Sequence, residues 1–171
     1  MPEADEGDMP PLKLSEICSR IGTDYDDARN ALANGLLPKG IDAKPGRGRH
    51  RQFDPWQAFT LAIALKAKDA GLTLSVAQRI MKLAPEIRAE AVRLGFHKRF
   101  VPFAAHFNSD QRWELQIADG RYVRMITDPA LRASRKEPTW YDIGTLRPQT
   151  PAHPVVAVHI DMAQLAILLS P

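Results

Sequence analysis

Apolar residues recur at helical spacing through the first half of the chain. Leu14, Ile17, Cys18 and Ile21 fall on one face of a helix that Ser15 is placed to cap and Gly22 to end. Thr23 or Asp24 caps a second helix running to about Ala33, with Ala28 and Leu32 facing inward, and Asn34-Gly35 stops it. Asp54 followed by Pro55 is an N-cap with proline at the first helical position. The third helix, over residues 56–70, turns Trp56, Phe59, Ile63 and Ala67 inward and ends at Gly71. A fourth helix, capped by Thr73, runs to about Ala84 and buries Leu74, Ala77, Ile80 and Met81; a fifth, short helix opens at Pro85 and ends near Gly95.

Beyond Phe100 the period changes. Trp113-Glu114-Leu115-Gln116-Ile117 alternates apolar and polar, as a half-buried strand does. Asp119-Gly120 is a two-residue hairpin signal, and residues 122–126 supply the return strand. After a basic loop at 128–138, residues 139–143 read as a third strand. The proline-rich stretch 146–154 is a linker, 155–160 is a buried strand, and Asp161 caps a last helix through Leu169. Trp113, Trp140 and Tyr141 are assigned to the core of this small sheet. The pattern predicts an α+β chain: an acidic tail at 1–11, a mainly helical unit at 12–95, and an antiparallel β-rich region with a terminal helix at 100–171.

Composition narrows the class. With 171 residues, 44% hydrophobic and 25% charged, the chain suits one ordinary domain or one small domain with an appendage. No apolar run approaches the roughly 18–20 residues needed to span a bilayer, and the acidic start is not a secretion signal. Cys18 stands alone, so no internal disulfide or thiolate cluster is possible; the expected setting is a reducing cytoplasm. Fourteen prolines argue against one unbroken helical bundle. The net charge of +3 hides a gradient: residues 1–11 carry four acids and no base, whereas residues 12–84 carry twelve Lys and Arg against seven acids. The thirteen residues 39–51 hold Lys39, Lys44, Arg47, Arg49, His50 and Arg51 against Asp42 alone, on a glycine-rich loop. Guanidinium groups on such a loop suit phosphate oxygens or a narrow groove, which points to a polyanion partner.

Residues 12–84 resemble the winged-helix DNA-binding domain of the MerR family. The resemblance is carried by Leu14, Ile17, Cys18, Gly22, Arg29, Gly35-Leu36-Leu37, Arg51-Gln52-Phe53, Asp54 and Gly71-Leu72-Thr73-Leu74, with the interval from Gly22 to Gly35 matching the family's second helix. It implies a helix-turn-helix whose second helix enters the major groove of duplex DNA and a 39–51 wing on the backbone and minor groove. The DNA-contacting residues it implies are Tyr25, Arg29, Asn30, Lys39, Lys44, Arg47, Arg49, His50 and Arg51. The corresponding role is a transcriptional regulator of bacterial or phage type. The second helix, however, begins Asp24-Tyr25-Asp26-Asp27; these acids favour the helix itself and repel phosphates, so the wing is expected to dominate.

The alternative is a protein-interaction module, an antirepressor or a phage excision or packaging adaptor, with the acidic helix on a protein partner. No catalytic residue, cofactor or metal is expected. His97, His106, His153 and His159 match no metal-ligand spacing, and no phosphate-loop or nucleophile-elbow motif is present. Residues 85–94 are too short for the family's dimerising coiled coil, so a homodimer is expected through residues 100–171, where 155–158 and the terminal helix are apolar on more than one side.

Overall fold

Residues 55–69 form a helix with no polar face, and the other elements cover it. The structure, a computed structural model, describes residues 10–42, 50–93, 112–127, 138–145, 147–153 and 155–169. In chain order the elements are β1 (Leu12–Lys13), α1 (Leu14–Ile21), α2 (Tyr25–Ala33), β2 (Gln52–Phe53), α3 (Pro55–Asp69), α4 (Leu74–Met81) and α5 (Ala84–Arg93). They continue with β3 (Trp113–Ala118), β4 (Tyr122–Thr127), β5 (Tyr141–Asp142), β6 (Val156–Asp161) and α6 (Met162–Leu169). The described residues thus form six helices and two antiparallel sheets, an α+β arrangement. None of these helices is long and apolar enough to cross a membrane.

In α3 every residue from Ala58 to Leu65 is buried, as is Ala67. Such a helix demands cover on all sides. It receives α1, α4 and α6 from the helices, and β2 and β6 from the strands. Asp54 and Gln57 close its N-terminus reciprocally: Gln57 N–H donates to Asp54 Oδ1 at 2.8 Å, and Asp54 N–H to Gln57 Oε1 at 2.9 Å. At its far end Asp69 accepts from the Thr23 hydroxyl at 2.6 Å and faces Lys66 at 3.5 Å, which ties the α1–α2 turn to α3. That turn needs Gly22, whose φ of 68° is left-handed.

The four-stranded sheet has the order β5-β4-β3-β6. Asp119 and Gly120, at φ 54° and 61°, make the tight turn between β3 and β4 with the left-handed pair that suits a hairpin's twist. Trp113, Leu115 and Ile117 of β3 join Val158 and Ile160 of β6 in one continuous core with Ile17, Phe59 and Ile63 from the first half. Trp113 lies on Phe59, ring centroids 5.3 Å apart. Elsewhere on the sheet Glu114 accepts hydrogen bonds from Arg112 and Gln116 and pairs with His159. Burial pushes the Glu114 carboxyl up, but hydrogen bonds from Gln116, His159 and Arg112 outweigh it and hold the group below its ordinary range. Arg124 donates to Gln116 Oε1 at 2.9 Å, and its guanidinium lies 4.3 Å over Trp140.

Several expectations change. Ser15 does not cap α1: the chain enters the helix straight from β1, and Lys13 N–H is held by Glu16 Oε2 at 2.7 Å. β1, which the apolar spacing does not signal, pairs Leu12 with Phe53 and Lys13 with Gln52. Of the two candidate caps of α2, Asp24 does the work, accepting from Asp27 N–H at 2.9 Å. α4 ends at Met81 and α5 begins at Ala84, and Leu74 and Met81 are half-buried where burial was expected. The third strand shrinks to Tyr141–Asp142, and Tyr141 is exposed. Val155, expected in a buried strand, stands outside β6 and is 67% exposed.

The terminal helix is capped as expected, Gln164 N–H donating to Asp161 Oδ1 at 2.8 Å. Much of its apolar circumference, one of the two grounds for expecting a dimer, is covered within the chain. α6 packs on α1, α3 and β3, and Arg20 Nη1 donates to the carbonyl of Leu169 at 2.9 Å. Ile167 and Leu168 are its exposed apolar residues. The 1–9 stretch of the acidic tail, the 128–137 loop and the expected boundary between Gly95 and Asn108 lie outside the described residues.

Asp142 organises the β5 turn. Its Oδ2 accepts from Arg121 Nε at 2.7 Å, and its Oδ1 accepts from the N–H groups of Gly144 and Thr145 at 2.9 Å each. Chiefly because of the Arg121 hydrogen bond, the carboxyl is held down at about 2, against an ordinary 3.8.

Two tests follow from this packing. Trp113→Ala removes the ring that joins the sheet to α3, and we expect it to cost about 3–5 kcal/mol in denaturant unfolding. Asp142 binds its proton less readily folded than unfolded, so its stabilisation is complete above the ordinary carboxyl pKa and fades as pH falls towards about 2. Asp142→Asn should therefore be less stable than the parent at neutral pH, with the gap closing in acid; a gap independent of pH would show that Asp142 acts without its charge.

Candidate nucleic-acid interface

The β1–β2 pairing holds two distant stretches side by side. It fixes Lys13, at the entry to α1, beside Gln52, and so places Arg51 and His50 next to the start of α1. α2 packs on α1 through Ala28, Ala31 and Leu32, leaving its first turn and outer face in solvent. Between these elements lies an open groove of about 370 Å³ lined by Lys13, Leu14, Ser15, Tyr25, Arg29, His50 and Arg51. Three side chains of that lining are permanent cations and one is a histidine; among the described residues no carboxylate lines it.

The structure therefore brings together four of the residues expected to contact DNA: Tyr25, Arg29, His50 and Arg51. Tyr25 is 44% exposed, with its ring available at the groove's edge. Arg29 leans on Asp26, Nη2 to Oδ1 at 3.5 Å, with both side chains largely in solvent. Such an exposed pair is worth little and is readily exchanged for a stronger anion. Arg51 donates from Nε to the carbonyl of Asp42 at 3.1 Å, closing the loop at its base. Asn30 is exposed on α2 but does not line the groove; its carbonyl accepts from the Asn34 amide, which ends the helix. Lys39 lines a different cavity that shares no residue with this one. Lys44, Arg47 and Arg49 lie outside the described residues.

Sequence reasoning missed Lys13 and Ser15. Both precede the apolar rhythm of α1 or sit at its start, where spacing says only that a helix begins. The signal that would have found them is the pairing of Leu12 with Phe53, a contact 41 residues apart that local patterns do not carry. The acidic first turn is as expected: Asp24, Asp26 and Asp27 are exposed, and Asp24 caps the helix.

No family model, curated protein or solved structure matches the chain. The function has to be argued from the groove itself. Among the described residues no three His, Cys, Asp or Glu side chains gather to hold a metal ion. Cys18 is buried in α1, and burial first, then the Asp24 and Asp69 carboxylates, push its thiol up to about 11. A thiol so raised is almost wholly protonated near neutral pH and is a poor nucleophile. We expect it to resist a disulfide-exchange reagent in the native protein and to react fully once denatured; fast reaction of the folded chain would place Cys18 nearer the surface.

Proposed function

We propose that the chain binds duplex DNA through the groove between α1, α2 and residues 50–51, in the manner of a winged helix-turn-helix, as a transcriptional regulator of MerR type. The observation that carries the reading is the groove's lining: Lys13, Arg29, His50 and Arg51 converge with Tyr25 and Ser15, and among the described residues no carboxylate lines it. Lys and Arg supply charge to a phosphate backbone, the serine hydroxyl adds a neutral donor, and a tyrosine edge packs against sugar. β1 and β2 pair beside the start of α1 and hold Lys13 next to residues 50–51. α2 lies shallowly against the duplex, because Asp24, Asp26 and Asp27 at its first turn repel phosphates.

A second reading is supported by that same acidic turn. Three exposed carboxylates flanking an exposed tyrosine suit a basic protein surface, as an adaptor or antirepressor would require.

One pair of variants separates the two. In mobility-shift titrations against genomic fragments, affinity should fall steeply with salt, and Lys13→Ala with Arg51→Ala should lower the salt slope by about two, one per lost phosphate contact. Asp26→Asn should tighten DNA binding by removing repulsion and freeing Arg29. If the protein binds no DNA at low salt and a basic protein partner is lost on Asp26→Asn, the second reading holds instead.

A further inference from the structure

The described chain begins at Pro10, and the nine residues before it carry Glu3, Asp5, Glu6 and Asp8 with no Lys, Arg or His. Acids at that density offer little apolar surface to a core, and the company that suits them is water or cations. The point where this stretch joins the fold is fixed: Leu12 is buried and pairs with Phe53, and the next residue, Lys13, lines the basic groove. Three residues separate Pro10 from Lys13, a span of at most about 11 Å. Nine residues extended reach about 30 Å. The antiparallel pairing aims Pro10 away from residues 50–51, so the stretch meets the groove by turning back, and its length is ample for that.

The groove matches it in charge. Lys13, Arg29 and Arg51 line it with His50, and among the described residues no carboxylate does. The attraction asks none of these cations to be idle. Arg29 keeps its charge beside Asp26, and Arg51 keeps its own while bonded to the Asp42 carbonyl. The opposing field comes from the exposed Asp24, Asp26 and Asp27 at the start of α2, which steers an anionic occupant towards Lys13 and Arg51. Exposed ion pairs are individually weak, but a tethered partner acts at an effective concentration in the millimolar range, so several together compete with an outside ligand.

We propose that the acidic stretch 1–9 occupies this groove in the free protein, its carboxylates facing Lys13, Arg29 and Arg51. It stands where a phosphate backbone would lie and must be displaced before one binds. The contact stands on the charges and the tether alone; its role as a brake on DNA rests on the reading given under Proposed function.

The test uses the full chain. Ala4→Cys is given a single nitroxide label, while Cys18 stays unreacted because it is buried and its thiol is pushed up to about 11. The amide NMR signals of Tyr25, Arg29 and Arg51, all far from residue 4 in sequence, should broaden at low salt and recover in roughly 0.5 M salt. They should stay sharp when Glu3→Gln, Asp5→Asn, Glu6→Gln and Asp8→Asn are made together. Without the label, that neutralised chain should bind genomic DNA fragments about three- to tenfold more tightly than the parent at low salt, the gap closing as salt rises. Sharp signals in the labelled parent, broadening that survives salt or neutralisation, or broadening centred on Lys39 would each overturn the proposal, as would equal, measurable DNA affinity of the two chains. Broadening as expected with no DNA binding by either chain would uphold the contact and sink the DNA reading alone.

Discussion

A fifteen-residue helix without a polar side cannot lie on a surface, and the covering of α3 organises everything else. With nine of its residues buried, each neighbour is recruited to a different part of the circumference. α4 arrives through a short turn and α1 from earlier in the same half of the sequence, whereas α6 and β6 close the remaining side from its far end. The sheet is therefore attached through the core, with Trp113 on Phe59 as a large aromatic contact between the halves. The C-terminal segment completes the packing around a helix that the first half leaves partly uncovered.

The elements were largely legible because each is marked locally. Asp54-Pro55, Thr73, Asp24 and Asp161 are caps whose side chains act on the next few residues, and Asp119-Gly120 makes its own turn. The assembly was not legible, because it is set by residues far apart in the chain. Periodicity assigns Trp56, Phe59, Ile63 and Ala67 to an inward face; Trp56 is only half-buried, whereas the intervening Ala58, Leu61, Ala62 and Ala64 are buried with the other three. An alanine-rich flank reads as neutral until something packs against it. α6 shows the same limit from the other side: an apolar circumference says that cover is required and does not say from where.

The basic groove was half legible for a related reason. The cations of residues 50–51 stand out by composition, and Arg29 by its place in a helix that follows a glycine turn. Lys13 joins them only through a two-residue strand pair, and Lys39 leaves them because Gln57 anchors its carbonyl elsewhere. Charge clustering along a sequence thus includes a lysine that lines another cavity and omits one that lines this groove. The backbone hydrogen bonds of β1 with β2, and the one the Gln57 side chain donates to the Lys39 carbonyl, set these cations apart.

The acidic start of α2 brings two demands into conflict. Helix stability favours carboxylates there: Asp24 caps the first turn, while Asp26 and Asp27 complement the helix dipole. Each is worth about 0.3–1 kcal/mol to the helix, comparable to what one exposed charge contributes at a surface. A recognition helix entering a groove between phosphates needs the opposite sign at the same end. In the proposed complex the conflict is resolved by position: the carboxylates stay on α2, and the phosphate-facing charge is supplied by Lys13 and Arg51 from the strand pair beside it. Arg29 stands between the two fields, paired with Asp26 in the free protein and lining the groove at the same time. Its pairing is weak enough to yield to a phosphate, so the helix keeps its acids for folding and still offers one cation to a ligand. On the proposed reading, binding would depend on Lys13 and Arg51 more than on α2, and would favour backbone and shape recognition over base readout.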